Sequence, residues 1–306
     1  MDNTFSLILE SFIVLWASYM LASLAGLFSE KSGIVNIGLN GIMVMGAMSF
    51  SIVMASTQMR DTFGVYTPFI GLIVGGGVGI LVSLLFGFFV INLYSDQIIV
   101  GTAINIIAAA LSIIIIKSIY HQDFINFTVD NPAFSSEMII NVIYIAFLVI
   151  AILIMIFCFF IFKNTKFGMR IKASGENPYA LETSGVSVNK IRYQSVIISG
   201  FLAGMAGAIA MQSMQNNFQG TVNGMGYIAI AILIFGQWKV IGITIGSFVI
   251  AILMAIGQYW LTFDINFPSE IVNTLPFVIP ILVMMVTKTS NAPKMVGKPF
   301  KKDERV

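Results

Sequence analysis

Charge is scarce in this chain. Asp, Glu, Lys and Arg make up 10% of its 306 residues, where an ordinary soluble domain carries roughly 25%. So little charge cannot solvate a globular surface, and a soluble enzyme is excluded. Cysteine is nearly absent as well: Cys158, inside an apolar run, stands alone and cannot form an internal disulfide. His121 is the single histidine, which leaves no Cys/His metal cluster. A net charge of +2 is too small to imply nucleic acid. No Gly-x-x-x-x-Gly-Lys-[Ser/Thr] run is present, so ATP is not bound in the P-loop manner. Paired carboxylates or a Ser/His pair at matching depth are lacking too, which argues against an intramembrane enzyme.

What is abundant is apolar. Hydrophobic residues are 58% of the chain, the mean hydropathy is +0.93, and runs approach the roughly 20 residues that cross a bilayer. Ser, Thr and Gly are scattered through these runs instead of alternating with apolar residues, so the expected class is all-α, a polytopic helical bundle and not a β-barrel. Spans are expected at 5–28, 37–56, 68–93, 97–117, 138–162, 191–215, 227–235, 240–261 and 271–288. Nine crossings are favoured within a range of eight to ten. The stretch 227–235 is half a normal span and reads as a short, broken or re-entrant helix.

Twelve of the sixteen basic residues fall in two stretches, Lys163 to Arg192 and Lys288 to Arg305. The positive-inside rule makes both cytoplasmic, so an even number of crossings separates them. Counting 227–235 as a crossing closes that parity and places the N-terminus outside and the C-terminus in the cytoplasm. No Lys or Arg precedes Lys31, so the first run lacks the basic start of a cleaved signal and is expected to be retained. The chain then divides into a transmembrane body over 1–288, with a cytoplasmic loop at about 163–190, and a basic tail over 289–306. The tail is polar, contains Pro293 and Pro299, and is expected to be a mobile end beside anionic membrane lipid.

Ionisable residues are almost missing from the span centres; Glu10 and Lys117 lie near span ends. A proton- or sodium-coupled carrier is expected to keep a buried carboxylate, so energy comes from another chain or is not needed. Glycines recur four apart, as in Gly71, Gly75 and Gly79 or Gly200 and Gly204, a spacing that clears one helix face for close packing. Amides at Asn36, Asn40, Asn105, Gln212, Gln215, Asn223, Gln237 and Gln258 can either glue helices or hydrogen-bond a sugar or nucleobase in a passage.

One cytoplasmic stretch carries its own start and stop signals. Asn177 is an N-cap, Pro178 suits the first helical position, and Gly185 suits a left-handed stop, which predicts a short helix between them. It is either a structured loop or a stub whose Tyr179, Leu181 and Glu182 are exposed to dock in a groove of a cytoplasmic partner.

Four blocks carry a resemblance: FSEKSGIVNIGLNGIM over 28–43, GENPYALETSG over 175–185, ISGFLAGMAG over 198–207 and GYIAIAILIFG over 226–236. In order, over nearly the whole chain, they resemble the inner-membrane permeases of ATP-binding-cassette importers for branched-chain amino acids, ribose-like sugars and nucleosides. The likeness is strongest to the nucleoside or simple-sugar branch, in which two related permeases pair with one ATPase chain and a surface lipoprotein. The length and outside N-terminus look like the smaller permease of such a pair. The resemblance implies a coupling helix docking on the ATPase, carried by Glu176, Asn177, Pro178, Tyr179, Ala180, Leu181, Glu182 and Gly185. It also implies that the turn holding Asn36, Gly38, Asn40 and Gly41 lies beside the translocation path; Asn105 and Gln212 are taken with them as candidate path amides. Asn40 departs from relatives that usually have glutamate there. No cofactor would be bound by this chain, since ATP and magnesium belong to the partner ATPase. The competing reading is a stand-alone channel or facilitator for a small neutral solute.

Overall fold

Hydrocarbon offers the backbone no hydrogen bonds, so each apolar run must satisfy its own N–H and C=O groups by forming helix. In the computed structural model, which describes residues 2–126, 137–213, 217–260, 274, 278 and 291–300, they do so. The helices are α1 (Asp2–Lys31), α2 (Leu39–Ala55), α3 (Thr57–Phe63), α4 (Thr67–Gly87), α5 (Gln97–Tyr120), α6 (Glu137–Asn164), α7 (Lys166–Glu176), α8 (Pro178–Thr183), α9 (Val188–Ser213), α10 (Met225–Phe235) and α11 (Val240–Gln258). Among the described residues six are long and apolar enough to cross a membrane, and α2 and α10 are shorter apolar helices. The expected span at 271–288 lies outside the described residues, as does Gln215.

Burial separates the inner helices from the lipid-facing ones. The apolar stretch of α9 is 78% buried and that of α1 61%, against 28% for α5 and 22% for α6. The glycine spacing explains how α9 becomes central. A methyl placed on Gly204 would run into the Gly75 carbonyl of α4, and one on Gly207 into the Met43 carbonyl of α2. Backbone lies against backbone there, which builds packing energy where no hydrophobic drive exists between helices in lipid.

Two contacts fix which segments share an end. The only strands among the described residues, β1 (Ile125–Asn126) and β2 (Asn217–Phe218), pair antiparallel, Ile125 opposite Phe218. This two-residue ribbon is the exception to an otherwise helical fold, and it ties the loop after α5 to the loop after α9. At the opposite end the Met295 N–H donates to the Gly175 carbonyl (2.9 Å) and the Gly297 N–H to the Gly33 carbonyl (3.1 Å). Segments from the two basic stretches therefore meet at one end of the bundle.

The expectation of a mobile tail is corrected over 291–300. Phe300 is buried and lies 5.3 Å, ring to ring, from Tyr179, and the Asn291 N–H donates to Gln237 (3.2 Å). The reason is that the break after α1 and the end of α7 leave carbonyls that a passing strand of backbone can satisfy. Composition does not reveal such partners.

Candidate functional site

The chain leaves helix at Lys31 and resumes it at Leu39, which strands backbone groups inside the bundle unless side chains meet them. Amides on α5 do this. Gln97 accepts from the Val35 N–H (2.6 Å). Asn105 accepts from the Gly41 N–H (2.7 Å) and donates to both the Ile37 carbonyl and the Tyr227 hydroxyl, each at 2.9 Å. Asn105 lies about 12 Å along α5 from Gln97, at 1.5 Å per residue, so this cluster is deep within the bundle.

The same place holds the start of α10. Its first N–H groups lack helical partners, and the Gly226 N–H donates to the Asn40 side chain (3.2 Å). Gly226 permits this approach: a Cβ there would lie 2.6 Å from the Asn40 backbone nitrogen. Gly38 faces Gly101 in the same way: a Cβ on Gly38 would lie 3.3 Å from the Gly101 Cα. Asn36 is buried, donates to the Ser199 hydroxyl (3.4 Å), and keeps its amide oxygen free of protein partners among the described residues. Asn36, Gly38, Asn40, Gly41 and Asn105 are thus gathered where α2, α5, α9 and α10 meet. Gln212 is not: half-buried at the far end of α9, it shares no hydrogen bond with this cluster among the described residues.

Sequence reasoning did not single out Tyr227 or Gln97 as members of the cluster. Tyr227 is 49% exposed while its hydroxyl is bonded to Asn105, so it is the edge of the cluster that faces outward. A lone hydroxyl in the first turn of a short apolar helix was the available signal. The cluster consists of amides, a phenol and backbone, with no ionised group. It can trade hydrogen bonds with a neutral polar solute and offers no counter-charge to an anion.

Ionisable side chains are instead buried near the basic end. Glu30, 6% exposed, accepts from the Trp238 indole N–H at 2.6 Å. Arg192, counted above with the loop, lies inside α9, is 2% exposed, and donates to the Lys298 carbonyl. Trp238 is therefore a buried donor.

At that end stands α8. Asn177 accepts from the Ala180 N–H (3.0 Å), Pro178 is its first residue, and Gly185 takes φ +84°. The predicted short helix is present with its predicted cap and stop. The exposure expected of three of its side chains is corrected. Leu181 is buried, Tyr179 is half-buried against Phe300, and the Glu182 carboxylate accepts from the Val188 N–H (2.9 Å), where the start of α9 needs an acceptor. The outward face is formed by Glu176, Asn177, Ala180, Thr183 and Gly185, while Pro178 is buried.

Helices broken within the bundle around an uncharged polar cluster, with a capped stub at one end, define a multi-pass transport protein of the cell membrane. A family model described as branched-chain amino acid transport system / permease component matches residues 8–286, and the chain belongs to that family. It is 32% identical to the nucleoside ABC transporter permease protein NupC of Lactococcus lactis, over 96% of each chain. It is 33% identical to the guanosine ABC transporter permease protein NupQ of Bacillus subtilis, over 98% of each. To a second guanosine permease of that organism, NupP, it is 27% identical over 93% of this chain and 82% of the relative. Among solved structures, an inward-facing metal-chelate type ABC transporter aligns with TM-score 0.47 and 14% identity, over 91% of this chain and 86% of that one.

Proposed function

We propose that this chain is the permease subunit of an ATP-binding-cassette importer for nucleosides, forming the path with a second permease while a separate ATPase supplies the energy. The observation that carries this reading is near full-length similarity to permeases named for nucleosides and guanosine, on a chain whose gathered polar cluster is uncharged. A nucleoside presents hydroxyls and a base edge that amides and a phenol can match; a nucleotide would bring phosphate charge that nothing in the cluster offsets. Simple sugars present the same hydroxyls without the base and are the alternative cargo. Bacillus subtilis has two guanosine permeases, and the chain spans 98% of one and 82% of the other. That supports a place as the shorter member of an unlike pair. On this reading the N-terminus lies outside, the tail inside, and a surface lipoprotein delivers the solute.

Coupling belongs to the outward face of α8. Glu176, Asn177, Ala180 and Gly185 contact the ATPase, whereas Tyr179, Leu181 and Glu182 set the helix on the bundle and Pro178 starts it. No bond is made or broken on this chain. The test is uptake of labelled guanosine and uridine by cells with the chain deleted and restored. The expected result is uptake that needs both this chain and an ATPase that co-purifies with it. Repeated purification of this chain alone, with uptake indifferent to ATP, would establish a stand-alone facilitator instead. Glu176→Lys and Gly185→Val are each expected to leave ATP hydrolysis running while uptake falls, and unchanged uptake in both at normal membrane levels would remove α8 from the coupling role.

A further inference from the structure

Four lysines from four separate segments converge on one cavity at the basic end of the bundle. Lys31 closes α1, Lys163 lies in the last turn of α6, Lys172 stands on α7, and Lys239 immediately precedes α11. All four line a cavity of about 330 Å³. No carboxylate is among its lining residues. The acidic groups in the field of Lys31 are Glu176 and Glu30, and Glu30 is already engaged by Trp238. Like charges this close repel unless an anion sits between them.

The rest of the wall is apolar. Leu27, Phe159, Phe162, Val240 and Ile241 line the cavity together with the lysines. Two of the helices that line it also carry exposed apolar side chains, as lipid-facing helices do: on α6 Phe157 is 63% and Phe160 53% exposed, and on α11 Ile241 is 58% and Ile245 60% exposed. Three of the ammonium groups are positioned by contacts with the protein: the Lys172 Nζ donates to the Phe162 carbonyl (2.7 Å), the Lys31 Nζ to the Asn291 carbonyl (3.5 Å), and the Lys163 Nζ sits 5.2 Å over the Phe159 ring. Charge at the ends of spans lies at headgroup depth, and the apolar wall below lies at acyl depth.

We propose that this cavity binds one anionic phospholipid, its phosphate among Lys31, Lys163, Lys172 and Lys239 and one acyl chain along Leu27, Phe159, Phe162 and Ile241. A free phosphate would satisfy the lysines and leave the apolar half of the cavity empty, so the two-part lining selects the lipid. Such a lipid bridges α1, α6, α7 and the start of α11, and α7 leads directly into α8.

Trp238 lines the cavity and supplies the probe. The full chain carrying Trp16→Phe and Trp260→Phe, reconstituted in phosphatidylcholine vesicles, is titrated with brominated phosphatidylglycerol or brominated phosphatidylcholine while Trp238 fluorescence is read. The anionic lipid is expected to quench at a clearly lower mole fraction. Lys163→Gln, Lys172→Gln and Lys239→Gln, all at exposed positions, are each expected to reduce that preference about fivefold. Lys190→Gln and Lys294→Gln, outside the cavity, should leave it unchanged. Native mass spectrometry of the chain with its tryptophans intact gives an independent reading: one retained phosphatidylglycerol per chain in excess of phosphatidylcholine, lost in the triple lysine variant. Equal quenching by the two lipids, or a preference that survives the triple variant, would overturn the proposal. Displacement of brominated phosphatidylglycerol by millimolar inorganic phosphate would overturn it in favour of a soluble phosphate site.

Discussion

Asn105 uses its side-chain oxygen and both amide hydrogens on three different segments: the Gly41 N–H, the Ile37 carbonyl and the Tyr227 hydroxyl. Leucine has the same branched skeleton of heavy atoms and none of these bonds. Asn105→Leu leaves buried groups unpaired and is expected to cost about 3 kcal/mol, read as a lowered Tm of the solubilised chain and a loss of uptake. Glu30 offers a cleaner separation of charge from hydrogen bonding. Glu30→Gln retains an acceptor for the Trp238 indole and should unfold close to the parent, whereas Glu30→Ala orphans that donor and should cost about 2 kcal/mol. Asn105 could be listed from the sequence as a polar residue in an apolar run, but its partners could not. They come from the α1–α2 break, the first turn of α2 and Tyr227 of α10, far from Asn105 along the chain, and no local pattern pairs them. Arg192 shows the reverse failure. Its neighbours Lys190 and Arg170 are exposed, so charge counting placed it in the loop, while the Lys298 carbonyl that admits it to the interior lies in a segment expected to be free.

At the scale of elements, local signals succeeded where the chemistry was local. The Asn-Pro start and glycine stop of α8 are short-range devices, and the helix forms where they place it. Asn177→Ala removes the cap and should destabilise α8 by about 1 kcal/mol, visible as faster amide exchange at Ala180. Glycine spacing likewise announced close packing, because a four-residue repeat of small residues has few other uses in a membrane helix. What it did not announce is which helix each ridge meets. The same limit applies to α10: its length was legible as half a span, but not that it begins against Asn40. Gly226→Ala puts a methyl into the Asn40 backbone and is expected to cost about 2 kcal/mol, displacing α10 and lowering uptake. A normal melting curve with normal uptake would show that α10 moves aside freely.

Over the whole molecule, the described residues divide into an end with paired loops, Ile125 opposite Phe218, and an end where α7, α8, Arg192 and residues 291–300 assemble. The bundle between them is laced by backbone approach and amides, so its two ends are joined through α1 and α9, the most buried of the six long apolar helices among the described residues. Phe300→Ala removes the ring packed on Tyr179 and should weaken the docking of 291–300 by about 1 kcal/mol. Faster exchange of the Met295 and Gly297 amides, with reduced uptake at unchanged membrane levels, is the expected result. Unaltered exchange would show that the backbone bonds alone hold the segment.

That docked segment also sets an order of events during synthesis. Residues 291–300 leave the ribosome after α8 and after every described span, yet they supply the ring against Tyr179, the donor to Gly175 and the acceptor for Arg192. A nascent chain already inserted through α11 therefore still presents an unfinished surface around α8. On the proposed function, a partner that recognises the finished surface would meet it only once translation has passed Phe300, and assembly would follow insertion.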